Sequence, residues 1–218
     1  MTIEDPSSTE SAPEAAAAAA AAPEAIGVGP PIGIFEGTSD IGSAQPGWTV
    51  YNSASGIYRV TGGGAGIGGE ADSFHFAWRR QSGDGQIAAE VIFPPGRRSP
   101  KEQAVLVFRQ SLDAGAAYAG IMIHGDGHIS FQYRQSRGRS TFTVVPCVPQ
   151  ATILSLRREG GRLTAFASLG AGARYQAAMI VLPLHDPLLA GIGVSAHSTD
   201  ELATIHFARV RVTGSPFD

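Results

Sequence analysis

Several things are scarce in this 218-residue chain, and each scarcity excludes something. There is one cysteine, Cys147, so no internal disulfide can form. Lys101 is the only lysine among 16 basic residues, and with 19 acids the formal net charge is -3. No strongly basic face is implied, and nucleic acid is not an expected partner. No apolar run approaches the ~18 residues of a membrane span, so none is expected. Glu4, Asp5, Glu10 and Glu14 stand where a signal peptide would carry its basic region, and polyalanine replaces the usual leucines. The cytoplasm is therefore the expected compartment. No stretch of ten or more residues holds a 3.6-residue apolar period, which argues against helices.

What is abundant is punctuation. The chain has 28 glycines and 14 prolines, with a globular 43% of hydrophobic residues. Residues 1–30 are acidic, then rich in alanine and proline. The run from Ala15 to Ala22 has high helix propensity but is too short to hold a helix unaided, so this segment is expected to be a disordered tail. From residue 31 to 218 short alternating runs are broken by Gly, Asp, Ser or Pro, the pattern of one antiparallel β-sandwich domain. Candidate strands run from Ile32–Phe35 through Trp48–Tyr51, Ile57–Thr61, Ser73–Arg80, Gln86–Phe93, Gln103–Gln110, Ala117–His124 and His128–Arg134. They continue through Thr141–Val145, Thr152–Arg158, Leu163–Leu169, Tyr175–Ile180, Leu189–Ala196 and Thr204–Val212. Ser82–Gly85, Gly125-Asp126-Gly127 and Gly160-Gly161 read as hairpin turns. Gly62 to Gly66 reads as a loop or bulge rather than a strand interior.

Side chains alternate across a strand, so each run can be split into two faces. Phe74, Phe76 and Trp78 oppose His75, Ala77 and Arg79. Ile87, Ala89 and Val91 oppose Gln86, Ala88 and Glu90. Ile129, Phe131 and Tyr133 oppose His128, Gln132 and Arg134. The non-core faces can be assembled into one polar, partly aromatic surface with members His75, Glu90, Arg109, Tyr118, His124, Gln132 and Arg134, beside a shallow dip at Gly120. On the concave side of a curved sheet they would suit a polar ligand such as a sugar. The competing reading is the ordinary polar face of a half-exposed sheet, with charges paired across strands.

Other motifs are weaker. Glu70-x-Asp72 could supply the two carboxylates of a glycosidase only if both point the same way. His124 and His128 straddle a turn, so a transition-metal site is not expected. No cofactor is expected; calcium held by Asp40, Asp72 or Asp84 with loop carbonyls is compatible with the chain, although no calcium-loop signature is present. Cys147 lies between two apolar neighbours and reads as an inert thiol. No nucleophile elbow or phosphate loop is present.

Four segments in order carry a resemblance. They are Tyr58 to Gly66 with Asp72 to Trp78, Ser82 to Val91, Phe108 to Asp113, and Tyr118 to Gly127 continuing through Phe131 to Arg134. They resemble a bacterial family called "regulation of enolase"-like, also met as the module accompanying TolB-type β-propellers, within the concanavalin A-like lectin/glucanase superfamily. The resemblance implies a jelly-roll sandwich of two antiparallel sheets with a concave face. The expected function is a non-catalytic binding module for carbohydrate or a similar polar ligand. The alternatives are a glycoside hydrolase or polysaccharide lyase using Glu70 or Glu90, and a protein–protein interaction module.

Overall fold

A computed structural model describes residues 32–214, except Arg97, Cys147, Pro149 and Ala171. The expected tail and the expected inert thiol therefore lie outside the described residues. Among the described residues fourteen strands account for the regular structure. They are β1 (Gly37–Ile41), β2 (Trp48–Asn52), β3 (Ile57–Gly64), β4 (Phe74–Gln81), β5 (Gly85–Ile92), β6 (Gln103–Arg109) and β7 (Tyr118–His124). The rest are β8 (Ile129–Arg134), β9 (Phe142–Val144), β10 (Ile153–Glu159), β11 (Arg162–Ser168), β12 (Arg174–Val181), β13 (Leu188–Ser195) and β14 (Ser198–Thr213). No helix of the described residues is long and apolar enough to cross a membrane.

The strands form two seven-stranded antiparallel sheets. Sheet A runs β1-β4-β13-β6-β7-β8-β9, and sheet B runs β12-β11-β10-β5-β14-β3-β2. The main core lies between them. Ala104, Leu106 and Phe108 of β6, Ile121 of β7 and Phe131 of β8 meet Leu154 and Leu156 of β10 and Ile205 and Phe207 of β14 there. Because β6 is apolar on both faces, it serves two cores. Val105 and Val107 point to the outer side of sheet A, where they join Phe74, Phe76, Trp78, Tyr118 and Met122 in a second, smaller cluster.

That second cluster corrects the orientation expected for β4. Its aromatic face looks outward from the sandwich, while Ala77 enters the main core and His75 turns inward with it. The reason sits on the neighbouring strand. A Cβ at Gly193 would lie 2.6 Å from the Phe74 ring, and one at Gly191 would lie 2.5 Å from the Phe76 ring and 2.1 Å from the Ala77 carbonyl oxygen. The two glycines leave the space that the rings fill, so a large apolar face can be buried outside the main core.

Three local expectations also change. Ile32–Phe35 is an isolated bridge, and the edge strand is Gly37–Ile41 instead, a run with few apolar residues to betray it. Ser82–Gly85 does not close a hairpin: β4 pairs with β1 and β13 in sheet A, whereas β5 pairs with β10 and β14 in sheet B. Gly62 to Gly64 belong to β3 and are buried. A Cβ at Gly62 would meet the Val194 carbonyl oxygen at 2.4 Å and the His75 Cβ at 2.6 Å, so glycine permits close approach of the two sheets there. The Gly125-Asp126-Gly127 and Gly160-Gly161 turns do join paired strands, β7 to β8 and β10 to β11.

Candidate functional site

Five of the seven expected site residues share the outer face of sheet A. Register aligns Arg109 with Tyr118 and Tyr118 with Arg134, placing them in one row across β6, β7 and β8. Gln132 pairs with Gly120 in the next row, and His124 ends β7 opposite Gln103. The other two do not join them. His75 faces the inter-sheet space, and Glu90 stands on the outer face of sheet B, the opposite surface, with Arg209 Nη1 at 3.6 Å.

Arg109 and Arg134 have no solvent exposure, and both clasp Asp72, whose side chain is equally inaccessible. Arg109 Nη1 donates to Asp72 Oδ2 at 2.7 Å, and Arg134 Nη2 donates to Asp72 Oδ1 at 2.7 Å. The remaining donors go to loop carbonyls. Arg109 donates to Ser111 and Asp113, and Arg134 to Gly68, Gly69, Ala114, Ala116 and Arg139. A guanidinium carries five N–H groups, and those of Arg134 are committed. The two arginines therefore fasten the β3–β4, β6–β7 and β8–β9 loops over this end of sheet A. Backbone bonds tie the same loops together: Asp72 N donates to Ala114 O, Gly138 N to Gly115 O and Thr141 N to Gly69 O, each at 2.9 Å. A ligand role expected for these two arginines gives way to a structural one, since a buried carboxylate must be paired and hydrogen-bonded to be tolerated.

Tyr118 is also fully buried, with the Arg134 guanidinium 5.0 Å from its ring centre and its hydroxyl against Gln132 Oε1 and Thr141 Oγ1. Burial and the Asp72 charge push its phenol well above the usual range. His124 is bonded through Nε2 to Ser130 Oγ at 2.9 Å and stacks on His128 at 3.8 Å. Burial, with a smaller push from His128, lowers its pKa to about 4. His128 in turn is held by Asp126 Oδ1 at 2.6 Å. Among the described residues no three His, Cys, Asp or Glu side chains gather as a metal site. Asp40, Asp72 and Asp84 all have protein partners: His75 and Gly47, the two arginines and Gly68, and Gly160.

His75 lies in an unforeseen relay between the sheets. Its Nδ1 is 2.7 Å from Asp40 Oδ1 on β1, and its Nε2 is 3.1 Å from Thr49 Oγ1 on β2. Desolvation lowers its pKa against the opposing pull of Asp40.

The outer face of sheet B is built differently. Two adjoining surface cavities of about 390 and 370 Å³ cross it. The first is lined by Val50, Asn52, Ser55 and Ile57; the second by Phe93, Pro94, Pro95, Arg98, Glu102 and Thr204 among others. Arg59 of β3 and His206 of β14 line both, and register sets the two side by side. Trp48 is 47% exposed on the same face of β2 as Val50, because Thr49 between them turns inward. Thr61 and Thr204 link β3 to β14 beside the groove through their hydroxyls, 2.8 Å apart. Sequence reading missed this set. The available signal was the alternation of Trp48, Val50 and Asn52 with Thr49 and Tyr51, together with Arg59 opposing Tyr58 and Val60.

No protein-family model matches the chain, and no curated protein matches it. Solved structures do resemble it. A functionally unknown protein from Saccharomyces cerevisiae superposes with a TM-score of 0.57 at 20% identity, covering 78% of this chain and 93% of that one. The carbohydrate-binding module CBM66 from Bacillus subtilis superposes with a TM-score of 0.55 at 14% identity, covering 85% of this chain and all of that one. The GH43 protein BlXynB from Bacillus licheniformis, as a K247S mutant, gives 0.52 at 15% identity, over 73% of this chain but only 33% of the other. These likenesses concern the fold: the chain is an all-β jelly-roll sandwich of two antiparallel sheets.

Proposed function

We propose that this protein is a non-catalytic carbohydrate-binding module whose ligand lies in the groove across the outer face of sheet B. The observation that carries the reading is the pair of adjoining cavities with Arg59 and His206 in common and Trp48 exposed beside them. A sugar ring offers C–H faces for an aromatic or apolar surface and hydroxyls for planar donors. Trp48, Val50 and Ile57 supply the first; Arg59, His206, Asn52 and Ser55 supply the second. The likeness of the fold to a carbohydrate-binding module supports the same reading. So does the placement of the acids. Glu70 is exposed in the β3–β4 loop over sheet A and Glu90 lies on sheet B, so they do not flank one bond, and Asp72 is spent on two arginines. The resemblance to the "regulation of enolase"-like family belongs to this reading as a proposal about descent.

Affinity electrophoresis through gels containing a panel of soluble polysaccharides tests it. Retardation on at least one, abolished by Trp48→Ala and retained by Gln132→Ala, is the expected result. No retardation across the panel, or retardation that Trp48→Ala leaves intact, refutes it.

A further inference from the structure

Resting on that reading, we infer that the groove selects a carboxylated glycan, a chain containing uronic acid residues, with Arg59 as the residue that grips the carboxylate. Charge is the first reason. The chain is net negative at -3, yet the two cavities together present Arg59 and Arg98 against a single carboxylate, Glu102. Glu102 is already engaged, since its Oε1 accepts the Ser99 backbone N–H at 2.7 Å. A cationic groove on an anionic protein concentrates anionic ligands at that one place.

Position is the second reason. Arg59 stands at the junction of an apolar cavity, with Val50 and Ile57, and a more polar one, with Arg98 and Thr204. A sugar ring seated on the apolar part would direct an equatorial substituent towards the guanidinium. No ion pair of Arg59 occurs among the described residues. Its planar fork matches a carboxylate in a bidentate way that no hydroxyl can. Arg98 is steadied over the Phe93 ring, 4.9 Å from its centre, and is set to meet the next acidic residue along a polymer. Two acids outside the groove, Glu90 and Asp126, line a neighbouring cavity with Arg98; Glu90 has Arg209 at 3.6 Å, and Asp126 has His128 at 2.6 Å, as partners of their own.

The contrast with sheet A sharpens the assignment. Arg109 and Arg134 show what this fold does with an arginine whose work is structural: it is buried, and each of its guanidinium nitrogens has a hydrogen-bond partner. Arg59 is exposed on a cavity wall.

The test is affinity electrophoresis and calorimetry with polygalacturonate and alginate, beside neutral glucans and xylan, and dextran sulfate as a polyanion with no carboxylate. Binding to a uronate polymer is expected to weaken roughly tenfold in Arg59→Gln, consistent with loss of one charge-assisted fork. Arg59→Lys keeps the charge without the fork and is expected to recover only part of it. Raising the salt from low to high should weaken wild-type binding several-fold. Binding of neutral glycans alone, lost in Trp48→Ala but unchanged in Arg59→Gln, overturns the uronate inference while leaving the carbohydrate-binding reading intact. Equal binding of dextran sulfate and polygalacturonate reduces the effect to general polyanion attraction and also overturns it. Failure to bind any polysaccharide removes both.

Discussion

The two outer faces of this sandwich use similar residue types to opposite ends. On sheet A the arginines, a tyrosine and a carboxylate are drawn inward, saturated with hydrogen bonds and roofed by three cross-tied loops. On sheet B an arginine, a histidine and a tryptophan line or flank surface cavities. The difference teaches that a polar residue on a non-core face is not thereby available. What decides is whether a loop crosses the face. Asp72 lies near the end of the β3–β4 loop, and its carboxylate requires buried cations beneath it; the outer face of β3 and β14 meets no such demand.

Asp72→Ala is the sharpest way to break this contrast. It leaves two buried guanidiniums without their counter-charge and frees three loops, and a loss of about 3–5 kcal/mol is expected by chemical denaturation. The matched change on sheet B is Glu90→Gln, which removes the partner of Arg209 at 3.6 Å, where Arg209 is 73% exposed. That change should cost less than about 1 kcal/mol. Similar losses from both would mean that the two faces are not built differently. Gly191→Ala comes next. Its Cβ would press on the Ala77 carbonyl oxygen and the Phe76 ring, and a cost of about 1–3 kcal/mol is expected from overpacking the outer aromatic cluster.

Much of the architecture was legible because alternation is a local property. Ala104, Leu106 and Phe108 against Val105 and Val107 announce a strand buried on both sides, and β6 lies in the middle of sheet A. Which side faces the sandwich interior is not local. For β4 it depends on Gly191 and Gly193, more than a hundred residues away in sequence. The partition of strands between sheets is equally remote, so Ser82–Gly85 imitated a hairpin while crossing from one sheet to the other. Of the expected cluster, the shared face of Arg109, Tyr118, His124, Gln132 and Arg134 was readable from period two. Their confinement was not, because it is imposed by Asp72 from a loop whose path has no periodicity. The groove on sheet B escaped notice because Trp48 and Arg59 sit in short strands where exposure looks like ordinary solvent facing.

His124 allows the closed face to be probed by pH. Its folded pKa, near 4, lies below the ordinary value of 6.5, so the folded state resists the proton that the unfolded chain accepts. The stabilisation is present in full above about pH 6.5 and is lost as pH falls towards 4. Between pH 7.5 and 5 a loss of about 2 kcal/mol is expected from urea midpoints, and His124→Gln should flatten that slope. His75, also lowered by burial, adds a component of the same sign that survives in the variant. Asp126 and His197, which face His124 with His128, modulate the midpoint without reversing its direction.

The smallest expected effect on stability is the most informative about function. Arg59→Gln shortens a side chain on an exposed face and should not shift the unfolding free energy by more than about 0.5 kcal/mol. Arg134→Gln should be as damaging as Asp72→Ala, because Arg134 holds Asp72 and five loop carbonyls. If Arg59→Gln proved costly, the groove would be part of the scaffold, and sheet B would resemble sheet A after all. If it proves silent in denaturation yet weakens polysaccharide retention, stability and recognition reside on opposite faces of the same sandwich. The loops over sheet A would then be free to be rigid, because recognition would fall to the strands of sheet B.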